Sequence, residues 1–290
     1  MTRIAFAGER GAFAEDAVLS FDPSAEAVPV PGFREAFEAV DAGRLPADRP
    51  GAASVGAAAL PIENLVNGTV RETYDLLLEH DLVIVGEAIV PVRLCLAALP
   101  GETLASVERV YSHVQALGQA EAFLRSRPWL TMSTYNTAGA GRLIAERRER
   151  GAAAVLSPRA AALFGLEILA DGIQSVPDNR TRFLIVARRG TPAALARQPG
   201  GEGPRRTTLV FAVRNEPGTL LRALGAFAER GVNLSSLESR PSRSAAWEYV
   251  FWTDLDADVG EAGCRAAIDE LRTVSTMVRV LGSYARVSGG

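Results

Sequence analysis

The chain has 290 residues, of which 48% are hydrophobic and 22% are charged, and its formal net charge is −3. This composition is typical of a globular protein with one large or two ordinary domains, and the small charge argues against general binding to nucleic acid or anionic membranes. The most apolar stretch is interrupted by Glu87 and Arg93, so it falls short of the ~18 apolar residues that span a bilayer. The first residues run into an apolar strand pattern without a signal-peptide layout, so we expect a cytoplasmic protein.

The residue types that are missing narrow the chemistry. All 31 basic residues are arginines, which excludes Schiff-base catalysis and the lysine of a P-loop. The two histidines, His80 and His113, belong to no metal-ligand cluster and accompany no G-x-S-x-G motif. Cys95 and Cys264 lie far apart in apolar surroundings, which predicts two buried thiols rather than a disulfide. We therefore expect no metal and no cofactor.

Up to about residue 188, strand-like and helical patterns alternate, which predicts an α/β architecture with a mostly parallel sheet. Apolar residues at helical spacing, such as Phe33, Phe37 and Val40, indicate the helices. The predicted strands cover residues 4–7, 52–60, 82–90, 92–99, 107–112, 130–135, 152–156 and 181–187. The predicted helices cover residues 13–21, 33–42, 70–79, 115–124 and 138–149, the last with Thr137 as its N-cap.

The last third of the chain has a different pattern. Residues 189–206 are rich in Gly, Pro and Arg without periodicity, which is typical of a linker. Beyond them, strands at 208–213, 232–238, 247–254 and 277–285 and helices at 219–230 and 261–272 follow the βαββαβ order of a ferredoxin-like domain. Such domains commonly pair with another copy, so we expect a homo-oligomer.

Three polar segments are candidates for the chemistry. The segment 61–70 (PIENLVNGTV) lies between a predicted strand and helix, where α/β sheets place ligand-binding groups. In the segment 111–119 (YSHVQALGQ), Ser112 ends a strand and two glutamines four residues apart share a helix face. In the segment 177–185 (PDNRTRFLI), Thr181 and Arg182 precede an apolar run, and an arginine there can hold a carboxylate. Taken singly, each also fits a structural role, as a polar turn, an N-cap or a surface arginine cluster.

The order and spacing of these segments resemble prephenate dehydratase over nearly the whole chain. The C-terminal part is similar to an ACT regulatory domain, in which the segments 215–220 (NEPGTL) and 238–241 (ESRP) match the ligand-binding motifs. In the N-terminal part the matching motifs are Gly8-x-x-Gly11-x-Phe13, Pro61-Ile62-Glu63-Asn64 with Gly68, Ser112-His113-x-Gln115, Asn136-Thr137-Ala138-Gly139-Ala140, Ala161-x-x-Phe164-Gly165-Leu166 and Asn179-x-Thr181-Arg182-Phe183.

The resemblance implies an enzyme that converts prephenate to phenylpyruvate, carbon dioxide and water in phenylalanine biosynthesis, a carbon–oxygen lyase without metal or cofactor. It implies a catalytic domain at residues 1–188 resembling periplasmic binding proteins, with subdomains at about 1–80 plus 165–188 and at 81–164. A linker at 189–206 and an ACT domain at 207–286 would follow. The implied partners are prephenate, phenylalanine as allosteric effector, and a second copy of the chain in a homodimer or homotetramer.

The resemblance also implies roles for individual residues. Thr181 would hydrogen-bond or protonate the departing hydroxyl, Arg182 would hold a carboxylate or brace the site, and Phe183 would pack beside the ring. We expect Glu63 to face Arg182 or a helix N-terminus, because a carboxylate beside the substrate's carboxylates would oppose binding. Further implied positions are Asn64, Ser112 and Gln119 for catalysis, and Gln115, Thr137, Gly11 and Ala12 for substrate binding. For phenylalanine they are Asn215, Pro217, Gly218, Thr219, Leu220, Glu238, Ser239, Arg240 and Pro241.

The chain departs from the family pattern at four positions. Leu65 stands where Ser or Thr is usual, Val114 where Pro is usual, and Ala12 and Ala14 where hydroxyl residues are usual. These departures put some substrate hydrogen bonds in doubt. Two alternatives remain open, an arogenate dehydratase and a catalytically inactive amino-acid sensor.

Overall fold

The computed structural model describes residues 2–45, 54–191, 203–241 and 249–287. Parts of three predicted segments, residues 52–53, 192–202 and 247–248, lie outside these ranges. By its internal contacts the chain divides into a first unit, Met1–Asp81 with Ala88–Ile185, and a second unit, Leu82–Glu87 with Val186–Gly290.

The first unit contains two sheets and the helices packed on them. Its strands are β1 (Arg3–Ala7), β2 (Glu26–Val30), β3 (Ala57–Asn64), β4 (Gly68–Thr69), β5 (Leu82–Pro91), β6 (Cys95–Ala98), β7 (Arg109–Ser112), β8 (Leu130–Ser133), β9 (Ala152–Leu156), β10 (Glu167–Asp171) and β11 (Arg180–Arg188), of which β5 and β11 continue into the second unit. Its helices are α1 (Phe13–Phe21), α2 (Phe33–Ala42), α3 (Arg71–Glu79), α4 (Val114–Gln119), α5 (Glu121–Arg125), α6 (Thr137–Arg147) and α7 (Pro158–Leu163).

The first sheet has the order β2-β1-β3-β11-β5, with β4 paired to β3. Strand β1 runs parallel to both neighbours and places Ile4 opposite Ala27 and Ala57. Ile4 and Phe6 are fully buried because helices α1 and α2 pack against this part of the sheet. The α/β prediction is therefore confirmed for this half of the unit.

The second sheet has the order β10-β6-β9-β7-β8 and is mixed rather than mostly parallel. Strand β9 runs parallel to β7 but antiparallel to β6, and β6 is also antiparallel to β10. Because Glu167 pairs with Ala98, residues 167–171 belong to this sheet, whereas β5 belongs to the first. These pairings move the crossovers between the two sheets away from the proposed subdomain limits at residues 81 and 165.

Two helices differ locally from the prediction, one in its N-cap and one in its continuity. Helix α6 begins after Asn136, whose Oδ1 accepts a hydrogen bond from the backbone N–H of Gly139, so Asn136 and not Thr137 is the N-cap. The predicted helix over 115–124 is divided into α4 and α5, which meet at Ala120.

The second unit contains the predicted βαββαβ domain. Its elements are β12 (Arg205–Val213), α8 (Thr219–Ala228), β13 (Leu234–Pro241), β14 (Tyr249–Leu255), α9 (Ala262–Val274) and β15 (Met277–Ala285). The sheet is antiparallel throughout, in the order β13-β14-β12-β15. Phe211 and Leu209 on one face pack with Phe227 of α8 and Ile268 of α9 to form the core.

The other face of this sheet carries buried polar groups. The Thr208 hydroxyl contacts both the Asp254 carboxylate and the Tyr284 hydroxyl. Arg206 forms a buried ion pair with Glu87 of the segment Leu82–Glu87, with 2.6 Å between Nη1 and Oε2. The backbone N–H of Val287 donates to the second oxygen of that carboxylate at 2.9 Å. The buried charge is therefore satisfied on both oxygens, as buried ions require.

The two cysteines are free and buried, as predicted. Burial raises the pKa of the Cys95 thiol to about 12 and that of Cys264 to about 11, so both remain protonated and inert at neutral pH. Among the described residues, no helix combines the length and the apolar character that crossing a membrane requires.

Candidate active site

The first unit contains a cleft formed by two adjoining cavities of about 340 and 470 Å³. Both volumes lie within the ~300–1,000 Å³ that is usual for small-molecule sites. The smaller cavity includes Gly11 and the larger includes Thr181, and we call these the Gly11 end and the Thr181 end of the cleft. The residues that line both cavities are Phe13, Phe33, Glu72, His113 and Thr137.

The segment 61–70 is a tight hairpin at the Thr181 end. Strand β3 runs through Asn64 and turns back into β4, so that Asn64 pairs with Gly68. The Asn64 Oδ1 accepts the backbone N–H groups of Val66 and Asn67 at 3.0 and 2.9 Å, an arrangement for which asparagine is favoured in turns. Gly68 has a φ of 72°, a backbone conformation that favours glycine, and it lines the larger cavity.

The Asn64 amide joins this hairpin to β11. Its Nδ2 lies 2.9 Å from the Thr181 Oγ1, 3.0 Å from the Asn179 Oδ1 and 3.1 Å from the Arg180 carbonyl oxygen. Because the Thr181 oxygen accepts from this amide, its own proton remains available to donate to a ligand in the cleft. Hydrogen bonds in such a chain strengthen one another, so Thr181 is a better donor here than an isolated hydroxyl.

Consecutive residues of β11 face opposite sides of the sheet, which separates the residues predicted to act together. Thr181 lines the cleft, whereas Arg182 does not and lies 3.9 Å from the Glu63 carboxylate of the neighbouring strand. The expectation that Glu63 faces Arg182 agrees with this pair. Phe183 is buried and lines neither cavity, so its position does not favour packing beside a substrate ring.

The segment 111–119 contributes amides rather than its serine. Gln115 and Gln119 line the Thr181 end together with Asn64. The Ser112 side chain is fully buried, lines neither cavity, and donates to the Val155 carbonyl oxygen at 2.6 Å. Its position therefore favours support of the sheet over contact with substrate. His113, which is not among the residues with a role implied by the resemblance, lines both cavities and caps α4.

Several helices begin at the cleft. Helix α1 begins at Phe13, and this residue lines the Gly11 end of the cleft together with the two residues before it, Gly11 and Ala12. The first residues of α2 and α6, Phe33 and Thr137, and the second residue of α3, Glu72, also line it. Helix N-termini carry a partial positive charge and unpaired N–H groups, so their convergence favours a ligand with negative charge. Sequence reasoning missed this convergence, because it depends on how distant helices are arranged.

Of the predicted substrate contacts, the structure brings Asn64, Thr181, Gln115, Gln119, Thr137, Gly11 and Ala12 to the cleft. The side chains of Leu65 and Val114 are exposed and line neither cavity, so the departures there do not alter its wall. Arg71 and Glu72 line the cleft without having been predicted. The sequence carries no clear signal for them, because their place in the cleft depends on how α3 is arranged against distant segments.

The two segments implied for phenylalanine lie at the same end of the second unit's sheet. Val213, the last residue of β12, and Pro241, the last residue of β13, both pair with Tyr249 on the strand between them. The loop 214–218 therefore begins about two strand spacings, ~10 Å, from the end of β13. The Thr219 hydroxyl donates to carbonyl oxygens of Arg214 and Glu216 and closes the loop.

Together, the fold and the cleft define a two-sheet α/β ligand-binding domain followed in the chain by a ferredoxin-like domain. The family model for prephenate dehydratase matches residues 4–191, and that for the ACT domain matches residues 207–271. The chain therefore belongs to the prephenate dehydratase family and carries an ACT domain, and it is a dehydratase of the lyase class.

Two of three similar proteins carry names that agree with this assignment, and the third carries a different description. The chain is 40% identical to arogenate dehydratase/prephenate dehydratase 2, chloroplastic, of Arabidopsis thaliana, over 97% of the chain and 72% of that protein. It is 33% identical to the prephenate dehydratase of Arthrobacter aurescens solved in complex with L-Phe, with a TM-score of 0.83 and coverage of 98% of this chain and 90% of that one. A structure described as GqqA, a novel type of quorum quenching acylase, is also 33% identical, with a TM-score of 0.85 and 98% coverage of both chains.

Proposed function

We propose that this protein catalyses the decarboxylating dehydration of prephenate to phenylpyruvate, carbon dioxide and water in phenylalanine biosynthesis. The observation that carries the proposal is the Thr181 hydroxyl, oriented by Asn64 at one end of a cleft where four helices of nine or more residues begin. Prephenate carries two carboxylates and a ring hydroxyl, which match an anion-favouring cleft with a hydroxyl donor at its end.

The reaction breaks two bonds. The bond between the ring and its carboxylate breaks to release carbon dioxide, and the electron pair moves into the ring as the C–O bond to the hydroxyl breaks. The departing oxygen takes a proton and leaves as water. The ring becomes aromatic, which supplies the driving force, so the enzyme needs to orient the substrate and assist departure of the hydroxyl.

Thr181 supplies that assistance by donating its hydrogen bond to the departing oxygen and passing on a proton, which its hydroxyl regains from solvent water. One well-placed proton donor contributes ~10²–10⁴-fold to rate. Gln115 and Gln119 are neutral donors that hold polar groups of the substrate, and Arg71 together with the helix N-termini binds the carboxylates. Arg182 and Glu63 brace the two strands behind this site.

We assign regulation to the second unit, with phenylalanine bound by the loop 215–220 and the end of β13 at 238–241. The shared sheet end of the two segments supports this role, as does the relative from Arthrobacter aurescens that was solved with L-Phe. The effector acts by favouring one arrangement of a homodimer or homotetramer, with a coupling of ~1–3 kcal/mol. The two inert thiols are consistent with a cytoplasmic enzyme.

The proposal is tested by measuring phenylpyruvate formation from prephenate with and without phenylalanine. We expect turnover by the wild type, at least about 100-fold slower turnover by Thr181→Ala, and partial activity in Thr181→Ser, which keeps the hydroxyl. Saturating phenylalanine should change the rate and raise the thermal midpoint of both variants, because the effector site is separate.

Two outcomes would count against these assignments. A wild type that binds phenylalanine but does not turn over prephenate or arogenate would indicate an inactive sensor. Activity in Thr181→Ala close to that of the wild type would remove Thr181 from its role.

A further inference from the structure

Glu72 places a carboxylate in the middle of a cleft that otherwise favours anions. It is the second residue of α3, it is exposed, and it lines both cavities. Within the described part of the chain it forms no hydrogen bond or ion pair. The nearby guanidinium of Arg34 interacts electrostatically with Glu72 but forms its ion pair with Glu79, at 2.8 Å. A carboxylate in this position is available to a ligand.

The residue before Glu72 carries the opposite charge. Arg71 lines the Thr181 end and, among the described residues, likewise forms no ion pair. A guanidinium and a carboxylate from adjacent residues thus face the same space. This arrangement is complementary to a group that carries both an ammonium and a carboxylate, which is the head group of an α-amino acid.

We propose that Glu72 is a specificity-determining residue that lets this site also accept arogenate and raises its activity on arogenate relative to prephenate, an inference that rests on the proposed function. The two compounds share the reacting ring and differ in one side-chain group, an ammonium in arogenate and a keto group in prephenate. With arogenate, Arg71 binds the side-chain carboxylate and Glu72 binds the ammonium. With prephenate, Glu72 has no cation to bind and lies beside a substrate with two negative charges, which opposes binding.

The size of the effect follows from the exposure of the site. A charge-assisted hydrogen bond is stronger than a neutral one, but partial exposure to water weakens it. We therefore expect Glu72 to change the ratio of kcat/KM for arogenate to kcat/KM for prephenate about 10-fold. The change should lie mainly in KM for arogenate, because the ammonium is remote from the bonds that break.

The test compares both substrates in the wild type and in Glu72→Gln. We expect kcat/KM for arogenate to fall about 10-fold while kcat/KM for prephenate does not fall. Glu72→Asp, which keeps the charge, should retain part of the preference. Glu79→Gln is the matched control, since it removes a carboxylate from the same helix outside the cleft and should leave the ratio unchanged.

An unchanged ratio in Glu72→Gln, or equal losses on both substrates, would overturn the inference while leaving the proposed function intact. A wild type without activity on either substrate would overturn the proposed function, and the role of Glu72 with it.

Discussion

The amide of Asn64 holds together two chain segments that are 115 residues apart. Its oxygen accepts two backbone N–H groups of the hairpin, and its nitrogen donates to oxygens of Asn179, Arg180 and Thr181. The side chain is only 7% exposed, so water cannot replace a bond that is lost. One residue thus shapes the hairpin and orients the proposed proton donor.

Replacing Asn64 by Asp tests this double role. An ionised carboxylate cannot donate, so it would repel the Arg180 carbonyl oxygen and would draw the Thr181 hydroxyl proton toward itself and away from the substrate. We expect the free energy of unfolding to fall by about 1–3 kcal/mol and turnover to fall with it. Urea unfolding and the phenylpyruvate assay measure the two effects.

Asn67→Asp is the matched control, because Asn67 lies in the same hairpin but is exposed and is held through its backbone N–H. That change should alter the free energy of unfolding by no more than about 0.5 kcal/mol. Equal stability of Asn64→Asp and the wild type would show that the amide donors do not hold β11 to the hairpin.

At the scale of single residues, the sequence predicted most of the polar residues that line the cleft but not the charged residues Arg71 and Glu72. Asn64, Thr181, Gln115 and Gln119 line it as expected, because their motif order reflects the fold. The separation of Arg182 from Thr181 follows from strand alternation and could have been inferred from two adjacent residues. The position of Glu72 could not, because its place in the cleft depends on how helix α3 is arranged against distant segments.

At the scale of helices and strands, the first and last residues could be predicted where apolar residues repeat at a regular spacing. Helices α1 and α2 begin and end at the predicted residues because their apolar faces repeat at helical spacing. Strands β2 and β10 were not predicted. Strand β2 contains Pro29 and lies at a sheet edge, and β10 is a short edge strand that is exposed or half-buried along its length. An edge strand buries less of its surface than a central one, so its apolar pattern is weaker, although β8, also at an edge, was predicted.

Gly282 of β15 packs closely on Leu82–Glu87, the segment of the second unit that is separate in sequence. A methyl group at this position would overlap the backbone carbonyl of Ile84, which lies in the segment Leu82–Glu87. Backbone atoms cannot move aside as a flexible side chain can, so Gly282→Ala should lower the free energy of unfolding by about 1–3 kcal/mol. Chemical denaturation of the purified variant measures the change.

Gly225→Ala is the control, and we expect it to change the free energy of unfolding in the opposite direction. Gly225 lies inside α8, and the nearest neighbouring atom to an added methyl group is an end atom of the Glu229 side chain at 3.9 Å. Alanine there should raise the free energy of unfolding by about 0.5–1 kcal/mol, because glycine is a poor helix former. Similar losses in both variants would mean that the Ile84 contact is not the cause.

At the scale of the molecule, the second unit is discontinuous in sequence. The motif order predicted a domain at 207–286, but the structure adds Leu82–Glu87 to it, with Glu87 fully buried against Arg206. Sequence pattern could not reveal this, because residues 82–90 present an ordinary apolar strand in which a lone glutamate has no visible partner. Only a fold that brings residues 119 apart into contact shows why the charge is there.

Breaking the buried ion pair between Arg206 and Glu87 should lower the free energy of unfolding more than breaking an exposed ion pair does. Arg206→Leu leaves the Glu87 carboxylate buried without its cation, which should lower the free energy of unfolding by about 3–5 kcal/mol. Arg34→Leu, which breaks the exposed pair with Glu79, should cost far less, because water screens that pair. The double variant Glu87→Leu/Arg206→Leu should recover much of the loss, since no unpaired charge remains. If the double variant is no more stable than Arg206→Leu, the loss has another origin than the unpaired charge.

The buried Glu87 also bears on how such enzymes exchange regulatory parts during evolution. A gene segment encoding residues from 204 onward would transfer Arg206 to a new host without the acid that neutralises it and without the Ile84 backbone that Gly282 leaves room for. A recombined protein would therefore inherit an uncompensated cation unless the recipient carried a matching stretch inside its own catalytic half. We expect successful chimaeras of this enzyme to be those that transplant Leu82–Glu87 along with the C-terminal module.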